Sequence, residues 1–135
     1  MRSTGSLVVR YGSRIVQAFY SSSSGGYTSS NSQWGSAPLP WFPARPDGTD
    51  DRGGGAHPNP NFRWRTTISA AGLGARLGIG TAVSVRETKL PSWGGRVSRV
   101  VVEGVDGGHR RTVTVSGTWF RTTYALKSAK FHISP

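Results

Sequence analysis

The sequence predicts an α+β fold, mostly antiparallel β-sheet, and three observations carry the prediction. Residues Ala82–Thr88 and Arg111–Ser116 alternate with period two, the mark of half-buried strands, and Arg96–Gly104 between them is a Val-rich run of strand composition. Gly-containing turns, Ser92-Trp93-Gly94-Gly95 and Asp106-Gly107-Gly108, separate them, so the three runs read as an antiparallel meander. Two short helical stretches each begin at a serine able to cap the first turn, Ser69 and Ser116.

Taken in order, residues Ser6–Tyr11 and Arg14–Tyr20 are β-rich runs joined by Gly12-Ser13, a two-residue hairpin signal with glycine first. From Ser21 to Gly55 no period is sustained, and Ser, Gly, Pro and Asp make this a long loop. Long loops inside compact domains are usually functional or disordered, and the embedded Trp34, Trp41 and Phe42 favour partial order. Trp64–Ile68 reads as a short strand. Ser69 then caps a helix from Ala70 to Leu77, with Leu73 and Leu77 on one face and Gly78 as its stop, although Gly72 and Gly74 lower its propensity. Past the meander, Ser116 caps a second helix of about two turns carrying Phe120 and Tyr124 on one face. Lys130–Ile133 closes the chain as an edge strand. Trp64, Phe120, Tyr124 and Phe131 are assigned to core packing.

Composition sets outer bounds. A chain of 135 residues with 35% hydrophobic content can bury one modest core, so residues 1–135 read as one domain. The 17 Lys and Arg against 6 Asp and Glu give a net charge of +11, which favours a polyanionic partner. The cations are scattered with no run longer than Arg110-Arg111, whereas nucleic-acid surfaces cluster them on one element. Nucleic acid is therefore disfavoured relative to anionic wall polymers or phospholipid headgroups, and an Arg-rich base composition of the source genome accounts for the charge equally well. With no Cys, disulfides, thiolate zinc sites and Cys nucleophiles are excluded. No stretch approaches the roughly 20 apolar residues needed to span a bilayer, and no signal peptide opens the chain. The reading is either cytosolic or exported by a signal on sequence not present here.

The densest chemistry lies in Ala18-Phe19-Tyr20-Ser21-Ser22-Ser23-Ser24-Gly25-Gly26-Tyr27-Thr28, followed by Gln33-Trp34-Gly35 and Leu39-Pro40-Trp41. Hydroxyls and amides satisfy a sugar's donors and acceptors, an indole covers its C–H face, and paired glycines admit close backbone approach. Taken alone, the same Ser/Gly tract also reads as a flexible linker.

This order of residues resembles the SpoIID/LytB domain of bacterial cell-wall and sporulation proteins, with its run A-F-Y/F-H/S-S-T/S-S-G-G-x-T, then W/F-G and L-P-Y/W. The resemblance continues through Trp64, Ile68-Ser69-Ala70 and Leu77-Gly78. It extends through Ser92–Val102, similar to S-x-x-G-R-V-x-x-V/L-x-V, and Thr112–Gly117 with Phe120-Arg121. It closes on Leu126-Lys127-Ser128 and Phe131. Gly72 stands near a position where the family usually has an acidic residue.

The resemblance implies peptidoglycan work at the cell envelope or outside the cell. Such members are lytic transglycosylases of glycan strands stripped of stem peptides, or enhancers of a wall amidase. It places Tyr20, Ser22, Ser24, Gly25, Gly26 and Thr28 in a glycan-binding cleft, with Trp34 and Trp41 on the rim. It also implies that the chain corresponds to the C-terminal half to two-thirds of the domain. The family's upstream S-E-M/W-P segment with its catalytic Glu, and the Cys and His that bind zinc in some members, have no counterpart in these residues. Whether the chain is enzymatic is left open, no catalytic residue, metal or cofactor is assigned, and an amidase-enhancing or wall-polymer-binding module is the alternative. A basic nucleic-acid-binding domain stands third.

The chain's own carboxylates do not supply an obvious proton donor. Glu87 and Glu103 sit in alternating strands at positions read as solvent faces, Asp106 belongs to a turn, and Asp47, Asp50 and Asp51 flank the hydroxyl-rich patch as candidates for a supporting role. No G-x-S-x-G elbow surrounds any serine, and His57, His109 and His132 lack metal-ligand spacing. Gly72–Gly78 is one residue too long for G-x-G-x-x-G.

Overall fold

The computed structural model of this chain describes residues 8–34, 36–48 and 59–134. Its architecture is α+β and mostly antiparallel sheet. A two-stranded hairpin, β1 (Arg10–Tyr11) with β2 (Arg14–Ile15), precedes the long loop. Helix α1 (Ala70–Leu77) follows, then the meander β3 (Thr81–Leu90), β4 (Arg96–Asp106) and β5 (His109–Ser116), and helix α2 (Gly117–Thr123).

Both helices start as their caps predict. Ser69 Oγ accepts from the Gly72 N–H at 3.1 Å, and Ser116 Oγ accepts from the Trp119 N–H at 3.0 Å, each satisfying a donor that the first turn leaves open. Gly74 weakens α1 by propensity but is demanded by packing, because a Cβ there would sit 2.0 Å from the Gly80 carbonyl oxygen. The close approach lets α1 lie against β3 and bury Leu73.

Two register shifts decide which residues of the sheet reach the core. In a regular strand Ala82 and Val85 would point to opposite faces. The irregularity between Ala82 and Ser84 puts both on the packed face, opposite Gly104 and Val102, and leaves Val83 exposed. A second shift near Ser98 does the same for Val97 and Val100. Val100 and Val102 are wholly buried, Val97, Ile79 and Leu126 nearly so, and Val113 and Val115 of β5 pack against them. From α2, Phe120 enters this core, stacks on Phe131 at 5.5 Å and meets Tyr124 in a tilted contact at 5.0 Å. Trp64, Tyr124 and Phe131 pack against the same cluster, the role the sequence assigns them.

Three local expectations are corrected. Trp64–Ile68 is not a strand: Trp64 and Ile68 pack on the core through their side chains while the backbone joins no ladder. Lys130–Ile133 is not an edge strand either. Strand β5 ends opposite Arg99, so the Val97 N–H of β4 is open, and it donates to Ala129 at 2.9 Å. The tail then crosses toward β3, where His132 meets Glu87, instead of running alongside. The hairpin strands are also shorter than read. Beyond the Val16–Val9 bond no ladder continues through Ala18–Tyr20, and the Ser6-Leu7 part of the first run lies outside the described residues. Among the described residues no helix is long and apolar enough to cross a membrane.

Candidate functional site

The Ser/Gly run is drawn onto the sheet by a cation from a distant part of the chain. Arg96, the first residue of β4, donates from Nη2 to the carbonyls of Ser24 at 2.8 Å and Tyr27 at 2.7 Å, and from Nη1 to Trp93 at 3.1 Å. Half-buried as it is, its pKa is lowered by desolvation, yet an arginine stays charged. Three carbonyl oxygens thus converge on one guanidinium. Lys130 from the C-terminal tail donates to the next carbonyl, that of Gly25. Charged donors make the stronger hydrogen bonds, so four consecutive loop residues are fixed at three carbonyls.

Packing fixes the same segment from the side. Gly94 adopts φ +62°, and a Cβ there would lie 2.4 Å from Tyr27 Cβ, so only glycine lets the Tyr27 side chain close over the β3–β4 turn. Tyr27 and Pro46 form an isolated antiparallel bridge, flanked by Thr28 N–H to Arg45 O at 2.8 Å and Asp47 N–H to Gly26 O at 3.0 Å. Residues 26–28 and 45–47 are thereby zipped into a small double-stranded stem.

The sequence-predicted residues fall into two groups. Ser24 and Gly25 belong to the clamped segment, and Gly26 and Thr28 to the stem it leads into. There the Ser24 hydroxyl accepts from the Gly26 N–H at 3.1 Å, and the Thr28 hydroxyl accepts from Arg45 N–H at 2.9 Å while donating to the Arg45 carbonyl at 3.3 Å. Ser22 lies just before it, with its hydroxyl accepting from Asn61 at 3.1 Å. These hydroxyls are engaged in holding the loop's shape. The aromatic members lie outward: Tyr20 is fully exposed, Trp34 is 62% exposed with the Arg121 guanidinium 6.0 Å over its ring, and Trp41 packs on Tyr11 at 5.6 Å. Phe19 and Phe42 meet at 5.4 Å, tying the hairpin to the loop.

Beside the stem the loop folds back to form an open groove of about 410 Å³, walled by residues from 30–44 and by Ser92 and Trp93 of the β3–β4 turn. Gln33 bridges the two walls: its Nε2 donates to the Ser92 carbonyl at 3.2 Å while its Oε1 accepts from the Ser30 N–H at 3.1 Å. The hydroxyls of two lining residues, Ser30 and Ser32, lie 3.0 Å apart. Phe42, Leu39 and Trp93 supply apolar surface. None of the eight sequence-predicted residues lines this groove, whose Ser92-Trp93 wall reads in the sequence only as a turn.

The described carboxylates lie elsewhere. Glu87 is not on a solvent face: its partner in register is the fully buried Val100, and only 12% of its side chain is exposed. Burial alone would raise its pKa. The hydrogen bond with His132, its own backbone N–H and the nearby charges of His132 and Lys89 outweigh that, so its carboxyl titrates below the usual range. Glu103 faces outward but is ion-paired with Arg86. Asp47 belongs to the stem and Asp106 to the β4–β5 turn, while Asp50, Asp51 and His57 lie outside the described residues. Tyr124 is pushed above its ordinary pKa by burial, against the opposing charge of Arg76. Its hydroxyl and the Arg121 Nε are buried without a hydrogen-bond partner. Comparison with models of protein families, with curated proteins and with solved structures finds no match to this chain.

Proposed function

We propose that this chain is a peptidoglycan-directed module of the bacterial cell envelope, similar to the SpoIID/LytB domain, that binds glycan strands. The observation that carries this reading is the clamp. A free Ser/Gly tether would have its carbonyls in water, whereas Arg96 and Lys130 hold Ser24–Tyr27 against the sheet beside an open groove. The ordered resemblance of the motif residues supplies the substrate class. In this reading Ser22, Ser24, Gly25, Gly26 and Thr28 shape the binding loop, and Tyr20, Trp34 and Trp41 offer aromatic faces to sugar rings.

Cleavage of a glycosidic bond requires a proton on the leaving oxygen. The described carboxylates are placed in the core-facing pair, the outer ion pair, the stem and a turn, so the donor in a transglycosylase reaction would be a Glu outside these residues or on another chain. The same placement supports the second reading, a wall-binding or amidase-enhancing module that needs no donor of its own. Muropeptide analysis after incubation with denuded glycan strands tests whether this chain supplies a donor of its own. Binding without an anhydro-sugar product fits both forms of the proposal, and an anhydro product from this chain alone would refute the assignment of catalysis elsewhere. Retention on single-stranded DNA with a steep salt slope and no glycan affinity would overturn the proposal in favour of nucleic acid.

A further inference from the structure

We propose that the β1–β2 hairpin is a membrane-surface element that seats on anionic phospholipid, with Val9, Tyr11 and Ile15 entering the headgroup layer and Arg10 and Arg14 meeting its phosphates. The inference is independent of the glycan-directed reading.

The hairpin is apolar on both sides and largely uncovered on both. Cross-strand partners share a face, and the register sets Arg10 opposite Ile15 and Tyr11 opposite Arg14. Each face therefore carries one arginine beside one apolar side chain. Ile15 is 68% exposed and Val9 61%, while Tyr11 remains 50% exposed even with Trp41 against its ring. A protein docking on a hairpin covers one face and leaves the other in water, whereas a headgroup layer surrounds both. Tyr11 and Phe19 rest on the consecutive residues Trp41 and Phe42, so aromatic rings adjoin the aliphatic side chains. Rings that are apolar with a polar tip, such as Tyr11, settle at headgroup level.

Charge selects the kind of surface. No Asp or Glu occurs before Asp47, so the sequence around the hairpin holds nothing to neutralise it. Arg10 donates from Nη2 to the Ser13 carbonyl at 2.9 Å, which holds its guanidinium at the turn without cancelling the charge, and Arg14 opens β2 directly after that turn. Among the described residues neither arginine has a carboxylate partner. A second copy of the chain would press the same arginines together in a molecule already at +11, so it does not fit. A nucleic acid would satisfy the arginines and leave Val9 and Ile15 without a role. An anionic bilayer takes both groups, since arginine stems lie along apolar surface while their heads reach phosphate. The backbone limits the depth. Strands of two residues in a two-stranded sheet leave N–H and C=O groups open along both outer edges, and these need water or headgroups as partners, so the hairpin stays at the surface.

Co-sedimentation of the full chain with vesicles at fixed low salt would test this, using phosphatidylcholine alone and phosphatidylcholine with one third phosphatidylglycerol. The expected result is strong partitioning onto the anionic vesicles only. R10Q/R14Q should weaken it about 30-fold, the product of two basic contacts at such a surface. The charge-matched control R110Q/R111Q, two exposed arginines of β5, should weaken it no more than about threefold, because those groups act only through the screened long-range field. V9S/I15S should also reduce partitioning while leaving the net charge unchanged. In parallel, amide signals of the wild-type protein on vesicles doped with spin-labelled lipid should broaden at Val9–Ile15 and stay sharp along β5, a readout that needs no variant to fold. Equal losses in R10Q/R14Q and R110Q/R111Q would overturn the hairpin assignment in favour of diffuse attraction by the whole molecule. No partitioning onto anionic vesicles would overturn the proposal outright, and a vesicle-free dimer broken by V9S/I15S would hand the hairpin to a second copy.

Discussion

Replacing Arg96 by Met keeps a similar unbranched stem and removes the guanidinium, so it isolates the polar clamp. Three bonds from a charged donor would be worth about 1.5–3 kcal/mol each if fully buried, a ceiling well above what a half-exposed group delivers. Two effects reduce it. The variant no longer has to desolvate a charge, and the freed carbonyls of Ser24, Tyr27 and Trp93 can reach water at the loop surface. The net loss is about 2–3 kcal/mol, which for a chain of this length lowers Tm by roughly 8–12 °C.

The distribution of that loss is the sharper test. Two of the three bonds act on the loop, so local opening of the stem should become easier by more than the sheet is weakened. Hydrogen exchange should accelerate about 10–30-fold at the Thr28 and Asp47 amides, which close the stem, relative to the Val100 and Val102 amides in the central strand. Arg96→Lys should rescue only a fraction, since one ammonium cannot span three carbonyls held by a planar fork. A Tm within about 1 °C of wild type, with unchanged exchange at Thr28 and Asp47, would refute the clamp.

Other perturbations probe separate links. Gly94→Ala forces a left-handed alanine against the Tyr27 ring, and a loss of about 2 kcal/mol in denaturant melts is expected, with the Tyr27 fluorescence environment altered. Phe120→Ala removes the ring that packs on Phe131 and Tyr124, and urea titration should show a loss of about 3–5 kcal/mol. Because the folded Glu87 carboxyl titrates below the ordinary value of 4.5, its stabilisation is fully present above that pH and is lost as pH falls through the lower folded value. Glu87→Gln should therefore flatten the acid limb of the stability–pH curve, by no more than about 1 kcal/mol given how exposed His132 is, in melts run from pH 6 down to 3.

The meander and both helices were legible because their signals are local. Ser69 and Gly78 bound α1 in the sequence and in the structure alike, and Gly107-Gly108 turns β4 into β5 at the register that places Asp106 opposite His109. What could not be read depends on contacts between distant residues. The orientation of Glu87 is set by a register shift: alternation from Val83 assigns faces wrongly once Ala82 and Val85 lie on the same side. The two missing strands failed for a different reason. Trp64–Ile68 and Lys130–Ile133 have strand composition, but the first joins no ladder and the second follows an isolated backbone bond made by the preceding Ala129 and then crosses toward β3.

The candidate site shows the same division between local and distant information. A run of Ser and Gly announces a loop that can bend sharply, and nothing within that run says whether the hydroxyls face a ligand or their own backbone. That choice is made by Arg96, 72 positions beyond Ser24, which in the residues themselves shows only as a cation opening a Val-rich strand directly after Gly94-Gly95, and in the resemblance only as the Arg of G-R-V with no role attached. An arginine so placed must find oxygen acceptors as it is half-buried, and in a chain with 6 carboxylates against 17 Lys and Arg those acceptors are carbonyls. Among the described residues Glu87 and Glu103 are already committed to His132 and Arg86. Positive charge that the chain cannot neutralise internally is available to an anionic partner, and it should be felt there as a salt-screened attraction.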